Sequence, residues 1–505
     1  MSWANLSLKK NILSGYVSQL YVTGVGIMIL PLYIKYMGAE AYGLVGFFTM
    51  LQAWFGLLDM GLTPTIGRET ARYRGGNITA LAYRQLYRAL SLIFLVVALI
   101  GGISLFLVAD LIVEQWLQVE SLDMGKVVVC VQIMGIIVAL RWLCGLCRGV
   151  IAGSERLVWL SGFNGLIATM RFIAVFGSMW QFGFTPLVFF VHQLVIALTE
   201  LVGLWWMGNR LLPSKADSKE TIGWSLKPIK PVLRFALTIA FTSSIWVLVT
   251  QTDKLILSGI LSLAEYGYFT LAVLVASGIM VISGPVSSAI MPRMARLHSE
   301  GKHDEMIQVY RNASQLVTVI CGSAAITVAF TAEKLLFAWT GDGQLAQESA
   351  PILRLYAIGN GFLALAAFPY YLQYALGNLR YHLIGNLVTI CLLIPSIIYA
   401  AKVYGAIGAG WVWVSLNGML LLFWVGYVHS KLEPGLHAKW LLIDIAKISL
   451  PVFFVLWGIS LLGLPTGDRI VEFGVVAALS ITALITAVFT SSYAKTVISL
   501  RVRNG

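Results

Sequence analysis

The chain is a succession of long apolar runs separated by short polar breaks. A membrane-crossing helix needs about 20 mostly apolar residues. Stretches that meet this requirement fall at 12–34, 41–62, 86–109, 126–151, 157–180, 185–207, 234–260, 266–290, 313–337, 352–377, 380–401, 405–430, 443–463 and 470–490. The pattern predicts an all-α polytopic membrane protein with about 14 transmembrane helices. Pro451 and Gly463 interrupt the thirteenth stretch, so the last pair is the least regular. The run 12–34 is too long for a signal-peptide core and lacks a small-residue cleavage site after it, which predicts a retained first span.

Composition sharpens this reading. Charged residues make up 11% of the chain and hydrophobic ones 58%, with mean hydropathy +0.83. A soluble domain carries about 25% charged residues. The longest polar stretch, Gly208 to Pro231, is too short to bury a core and reads as a connector. The net charge of +12 would suggest nucleic acid in a soluble protein. Its distribution argues otherwise. With the N-terminus placed inside and the spans alternating, 26 of the 35 Lys and Arg residues fall on the cytoplasmic side, five outside and four within spans. That bias predicts both termini in the cytoplasm of a multi-pass membrane protein and no nucleic-acid partner. The outer loops are short, the longest being "DLIVEQWLQVESLDMGK", and leave no room for an external catalytic domain, so an enzyme is not expected. Cys144 and Cys147 form a C-x-x-C inside an expected helix with no second ligand pair nearby, and read as small apolar residues.

An internal repeat emerges at a shift of 224 residues. "AEAYGLVGF" begins at Ala39 and "LAEYGYFTL" at Leu263, so Tyr42-Gly43 falls on Tyr266-Gly267. The same shift places Ala71-Arg72 on Ala295-Arg296. Transporters are often built from duplicated halves. The expected layout is an N-terminal lobe of six spans (1–208), a cytoplasmic linker (209–231), a C-terminal lobe of six spans (232–430), and an extra helix pair with a cytoplasmic tail (431–505).

Ionisable residues inside spans cost at least about 2.5–3.5 kcal/mol each on insertion scales, so they mark functional or structural interior positions. The basic ones are Arg141, Arg171, Lys254 and Arg354; the acidic ones are Asp59, Glu200 and Asp253; His192 joins them. Asp59 and Arg354 lie near helix ends and could snorkel, and His192 could be a satisfied core residue. Arg141 and Arg171 are well inside adjacent spans, and Arg148 lies seven residues after Arg141, on nearly the same face. Guanidinium groups stay charged and grip phosphate oxygens bidentately, so these spans suggest an anionic substrate. Salt bridging to Glu200 or Asp59 is the alternative. No G-x-x-x-x-G-K-[ST] loop is present, so no nucleotide or other cofactor is expected. A carboxylate that titrates or holds a cation, with Na+ or H+ as the coupling ion, is the usual substitute. Asp253 leads that set, with Asp59 and Glu200 behind it. Asp253 and Lys254 are adjacent, so their side chains leave a helix about 100° apart and each is expected to need a partner on another helix. They form either a coupling site or an interior strut.

Three stretches carry a resemblance. "DKLILSGILSLAEYGYFTLA" (Asp253–Ala272), "FGLLDMGLTPTIGRETARYRGG" (Phe55–Gly76) and "RGVIAGSERLVWLSGFNGL" (Arg148–Leu166) resemble segments of bacterial polysaccharide and O-antigen flippases. These belong to the multidrug/oligosaccharidyl-lipid/polysaccharide exporter superfamily, whose fold has two six-helix lobes around a central cavity. The resemblance implies a flippase that moves an undecaprenyl-pyrophosphate-linked oligosaccharide from the cytoplasmic to the periplasmic leaflet by alternating access, serving cell-surface polysaccharide synthesis such as that of lipopolysaccharide O-antigen or exopolysaccharide. It implies a pyrophosphate held by Arg141, Arg171 and Arg148. Assembly and polymerase proteins are implied partners, beside membrane lipids. About 14 spans depart from the twelve of many O-antigen flippases. The rival readings are a cation-coupled multidrug exporter of the same superfamily and a membrane glycan polymerase or ligase.

Overall fold

The computed structural model describes residues 3–59, 61–213 and 227–495. Most of the expected 209–231 linker, residues 214–226, lies outside them. The described chain is almost wholly helical and packs as two compact units, residues 1–267 and 268–505. Twelve helical runs among the described residues are long and apolar enough to cross a membrane. The run Arg380–Leu432 takes in two expected stretches, and its backbone breaks at Gly405 (φ 59, ψ −144), a conformation glycine adopts without a Cβ clash. The expected 234–260 stretch is a helix, Lys230–Ser258, that carries Lys230, Asp253 and Lys254 and is not one of the twelve. The count of about 14 turns on these two places.

Unit 1 comprises α1 (Trp3–Met28), α2 (Leu30–Met37), α3 (Ala39–Phe55), α4 (Leu62–Arg74), α5 (Ala80–Leu107), α6 (Ala109–Gln115), α7 (Met124–Gly153), α8 (Leu157–Thr169), α9 (Val175–Phe182), α10 (Pro186–Leu211) and α11 (Lys230–Ser258), and ends in the first turn of α12 (Leu263–Ser299). Lipid tails are as apolar as leucine, so close packing rather than solvent exclusion holds such helices together. The α4–α7 contact follows that rule. Gly145, Gly149 and Gly153 recur every fourth residue on α7; a Cβ on Gly153 would sit 2.1 Å from the Gly67 carbonyl oxygen, and one on Gly149 2.6 Å from that of Thr63. Around this seam Ile66, Leu90, Phe94 and Val150 are buried, and Val232 and Ala236 of α11 join the same cluster. The unit therefore extends beyond the linker. Large side chains such as Trp180 and Phe182 face outward, as lipid-facing positions allow.

Unit 2 continues with α13 (His303–Val317), α14 (Ser323–Thr340), α15 (Gly343–Ala366), α16 (Phe368–Ala375), α17 (Arg380–Met419), α18 (Val425–Leu432), α19 (Leu436–Lys439), α20 (Lys447–Leu461) and α21 (Arg469–Thr490). The last pair, α20 and α21, buries Val452, Leu456, Leu479 and Ala483 against Val319, beside α14. Two polar clamps fix it. At one end the fully buried Asp444 accepts from Arg311 Nε (2.7 Å) and Nη2 (3.1 Å) and from Gln315 Nε2 (2.8 Å). Gln315 Oε1 in turn accepts from Ser491 Oγ and the Tyr493 amide. At the other end Lys334 pairs with Glu472 at 2.9 Å.

Candidate functional site

The polar cluster of unit 1 is built on α7, where Arg141 and Arg148 are two turns apart and project along one side. Arg148 donates through Nη1 to Asn164 Oδ1 of α8 (2.7 Å) and through Nη2 to Glu200 Oε1 of α10. Arg171 Nη2 donates to the other carboxylate oxygen, Glu200 Oε2, at 2.7 Å. One carboxylate therefore bridges two guanidiniums. Its side chain is 4% exposed, while those of Arg148 and Arg171 are 32% and 23% exposed, so the arginines form the accessible side of the bridge.

Arg141 is held differently. Its guanidinium donates to Gln52 Oε1 of α3 (2.5 Å) and Gln193 Oε1 of α10 (3.0 Å), and its carbon stands 5.2 Å from the centre of the Phe48 ring. Neutral amides and an aromatic face can stabilise a cation without cancelling it. Among the described residues no carboxylate pairs with Arg141, and its Nε, like that of Arg171, is buried without a hydrogen-bond partner. The cluster thus holds three guanidiniums and one carboxylate, which pairs with two of them. A buried excess of positive charge with orphaned donors can take up an anion with several oxygens.

Arg171 owes its position to an irregular backbone. Residues Met170–Ala174 form a π-helical turn between α8 and α9. Such a turn displaces carbonyls from the helical ladder, and here three of them meet side chains: Met170 O faces His192 Nε2 (3.0 Å), Arg171 O accepts from Gln193 Nε2 (2.9 Å), and Phe172 O accepts from the Tyr33 hydroxyl (3.0 Å). His192 Nδ1 lies 2.8 Å from Ser178 Oγ. With Nε2 facing a carbonyl, that nitrogen carries the proton and Nδ1 accepts from the serine. His192 is a satisfied core residue that braces the turn.

The structure therefore brings together Arg141, Arg148, Arg171 and Glu200, and the salt-bridge alternative is realised with Glu200. Asp59 stands apart: its carboxylate accepts from the Thr63 amide (3.2 Å) and hydroxyl (2.6 Å), capping the start of α4. Asp253 is buried near the end of α11. The two neighbours also meet directly. Lys254 Nζ turns back to lie 3.4 Å from Asp253 Oδ1 and donates to Thr250 O at 2.5 Å, one turn earlier. The 100° separation of the Cβ atoms is overcome because the four-carbon stem of lysine is long and freely rotating. The pair is thus in contact with itself. Gln52, Asn164 and Gln193, the uncharged members of the arginine cluster, carry no charge and so gave no signal within their apolar runs. Gln193 lies seven residues before Glu200, on nearly the same face of α10, and that spacing was readable. Asp444, at the edge of the 443–463 stretch, and its partner Arg311 are ionisable but lie close to expected span ends, where a charge reads as interfacial.

The chain belongs to the polysaccharide biosynthesis protein family, whose model matches residues 8–298, more than half of its length. It is 21% identical over 426 residues to a Shigella flexneri protein described as an O-antigen transporter, covering 82% of this chain and 97% of that one. Its fold is similar to that of the lipid II flippase MurJ in an inward closed conformation (TM-score 0.70, 14% identity, 94% of this chain and 98% of that one). It is also similar to that of an inward-facing multidrug resistance transporter of the MATE family (TM-score 0.66, 12% identity, 82% and 94%). The fold is thus the one shared by that flippase and that MATE transporter.

Proposed function

We propose that the protein is a flippase for an undecaprenyl-pyrophosphate-linked oligosaccharide, turning it from the cytoplasmic to the periplasmic leaflet of the inner membrane by alternating access. Both termini are cytoplasmic in this reading, as the lysine and arginine bias requires. The observation that carries it is the cluster of Arg141, Arg148 and Arg171 around a single carboxylate. The pyrophosphate displaces Glu200 from Arg148 and Arg171 and takes the unpaired donors of Arg141. The lipid tail remains in the bilayer, so only the charged and sugar-bearing head needs a polar path. A MATE-type exporter of cationic drugs fits this cluster poorly, because three guanidiniums repel a cation. The test is glycan display in cells whose only copy of the gene carries Arg141→Ala or Arg141→Lys. Arg141→Ala should abolish surface polysaccharide at unchanged membrane level of the protein. Arg141→Lys should restore part of it at best, since a point charge lacks the bidentate fork. Normal display with Arg141→Ala would refute the pyrophosphate role.

A further inference from the structure

In unit 2 a pocket of about 310 Å³ opens where α14 ends and α15 and α21 begin. Its charged lining is Glu333 and Lys334 from α14, Arg354 from α15 and Glu472 from α21, with Gln347 and Thr466 between them. Lys334 and Glu472 neutralise each other at 2.9 Å, and both are largely buried. Arg354 and Glu333 are exposed and take no hydrogen bond or ion pair from any described residue. Arg354 lies eleven residues into α15, about 16 Å from the start of that helix. Helical side chains lean toward the N-terminus, so its side chain leans toward the start of α15, where Gly343, Ala346 and Gln347 line the same pocket. A cation and an anion that share a pocket without pairing are the complement of a zwitterion.

We propose that this pocket binds the headgroup of a phosphoethanolamine lipid, with the phosphate on Arg354 and the primary ammonium on Glu333. The size is at the lower end for small-molecule sites, which suits a headgroup. A membrane lipid is favoured over a soluble phosphoethanolamine because the polar pocket has apolar neighbours. Phe330 and Phe337 line it, and Ile470 and Phe473 stand 80% and 66% exposed on the first turn of α21, where an acyl chain can lie. The chemistry discriminates between lipids. A choline headgroup has no N–H to donate to Glu333, and a glycerol headgroup supplies no cation to it. By the lysine and arginine bias this end of the helices faces the outer leaflet. This inference is independent of the substrate proposed above.

The test is native mass spectrometry of the full chain, purified and equilibrated with equal amounts of phosphatidylethanolamine, phosphatidylcholine and phosphatidylglycerol. The wild type should retain phosphatidylethanolamine over the other two by about tenfold, the value of one charge-assisted hydrogen bond. Arg354→Gln should remove the retained lipid. Glu333→Gln should keep a bound phospholipid but lose the preference among headgroups. Arg354→Lys keeps a cation and should keep the preference, which separates loss of the site from loss of the fold. Equal retention of the three lipids by the wild type, or an unchanged preference in Arg354→Gln and Glu333→Gln, would overturn the proposal. Competition by soluble O-phosphoethanolamine as effective as by the lipid would overturn the assignment to a membrane lipid.

Discussion

Among the described residues Glu200 is the one carboxylate that two arginines share, so its removal and the removal of one arginine should have very unequal effects. Glu200→Gln leaves Arg148 and Arg171 facing one another with no counter-charge. Breaking a buried ion pair by deleting one partner costs about 3–5 kcal/mol. The arginine side chains are 32% and 23% exposed, so solvent screening brings the expected cost to the lower bound, about 3 kcal/mol. Arg148→Gln leaves Glu200 still paired with Arg171 at 2.7 Å and should cost about 1 kcal/mol or less. The assay is thermal unfolding in detergent, followed by intrinsic fluorescence. At about 2 °C per kcal/mol for a unit of this size, Glu200→Gln should lower the midpoint by about 6 °C and Arg148→Gln by about 2 °C or less.

A second readout ties the same residue to anion binding. On the proposed reading, Glu200 competes in the wild type with an incoming phosphate for Arg148 and Arg171. Glu200→Gln removes that competitor, so inorganic pyrophosphate should raise the midpoint of the variant more than that of the wild type. A ligand at 100 times its dissociation constant stabilises by about 2.7 kcal/mol, enough to recover most of the loss. Glu200→Gln no more harmful than Arg148→Gln would refute the reasoning about the shared carboxylate. An equal pyrophosphate response in both proteins would show that Glu200 does not occupy the anion's place.

Two further charge pairs give sharp expectations. Asp444→Asn strands Arg311 beside a fully buried position and should cost about 3–5 kcal/mol, read as loss of membrane-resident protein; Asp444→Leu with Arg311→Met should recover most of it, and failure of the double variant to do so would reject a purely structural clamp. For Asp253 and Lys254, Asp253→Asn with Lys254→Gln should restore both protein level and glycan export if the pair is a strut, whereas restored level without export would mark Asp253 as an ion-coupling residue.

How much of this was legible beforehand depended on what each signal measures. Apolar run length is set by the bilayer, so the helices could be read with little error except at Gly405, where two runs join. Arg141, Arg148 and Arg171 could be singled out because an intramembrane charge is costly wherever it points. Their connection through Glu200 could not, because Glu200 is on α10 and which faces of α7 and α10 meet is a tertiary fact. The π-helical turn at Met170–Ala174 was invisible for a related reason. It is stabilised by Tyr33, His192 and Gln193 from other helices, not by the local sequence. The same holds for Asp59, which caps α4 through Thr63: a D-x-x-x-T spacing inside an apolar run reads as an embedded charge until the helix is seen to stop.

The repeat makes a prediction that needs both copies. The Tyr-Gly pairs at 42–43 and 266–267 are not only similar; they touch. A Cβ on Gly43 would sit 1.9 Å from the Leu263 carbonyl oxygen, and one on Gly267 would sit 2.8 Å from that of Ala39. Adding the 224-residue shift to Ala39 gives position 263, and adding it to Gly43 gives 267. The two contacts are therefore the same contact seen from its two ends, between the first turns of α3 and α12. Both obstructions are backbone atoms, which no rotamer can clear, so Gly43→Ala and Gly267→Ala must push the helices apart. Overpacking of this kind costs about 1–3 kcal/mol, with Gly43→Ala the worse because its approach is closer. Gly474→Ala is the control. It lies inside α21 with nothing within 4 Å of its added methyl, and should stabilise by a few tenths to about 1 kcal/mol through helix propensity alone. Thermal midpoints of the three variants decide the matter. If Gly43→Ala and Gly267→Ala behave like Gly474→Ala, the two segments do not meet at their backbones, and the 224-residue repeat is a similarity of sequence without a shared packing role.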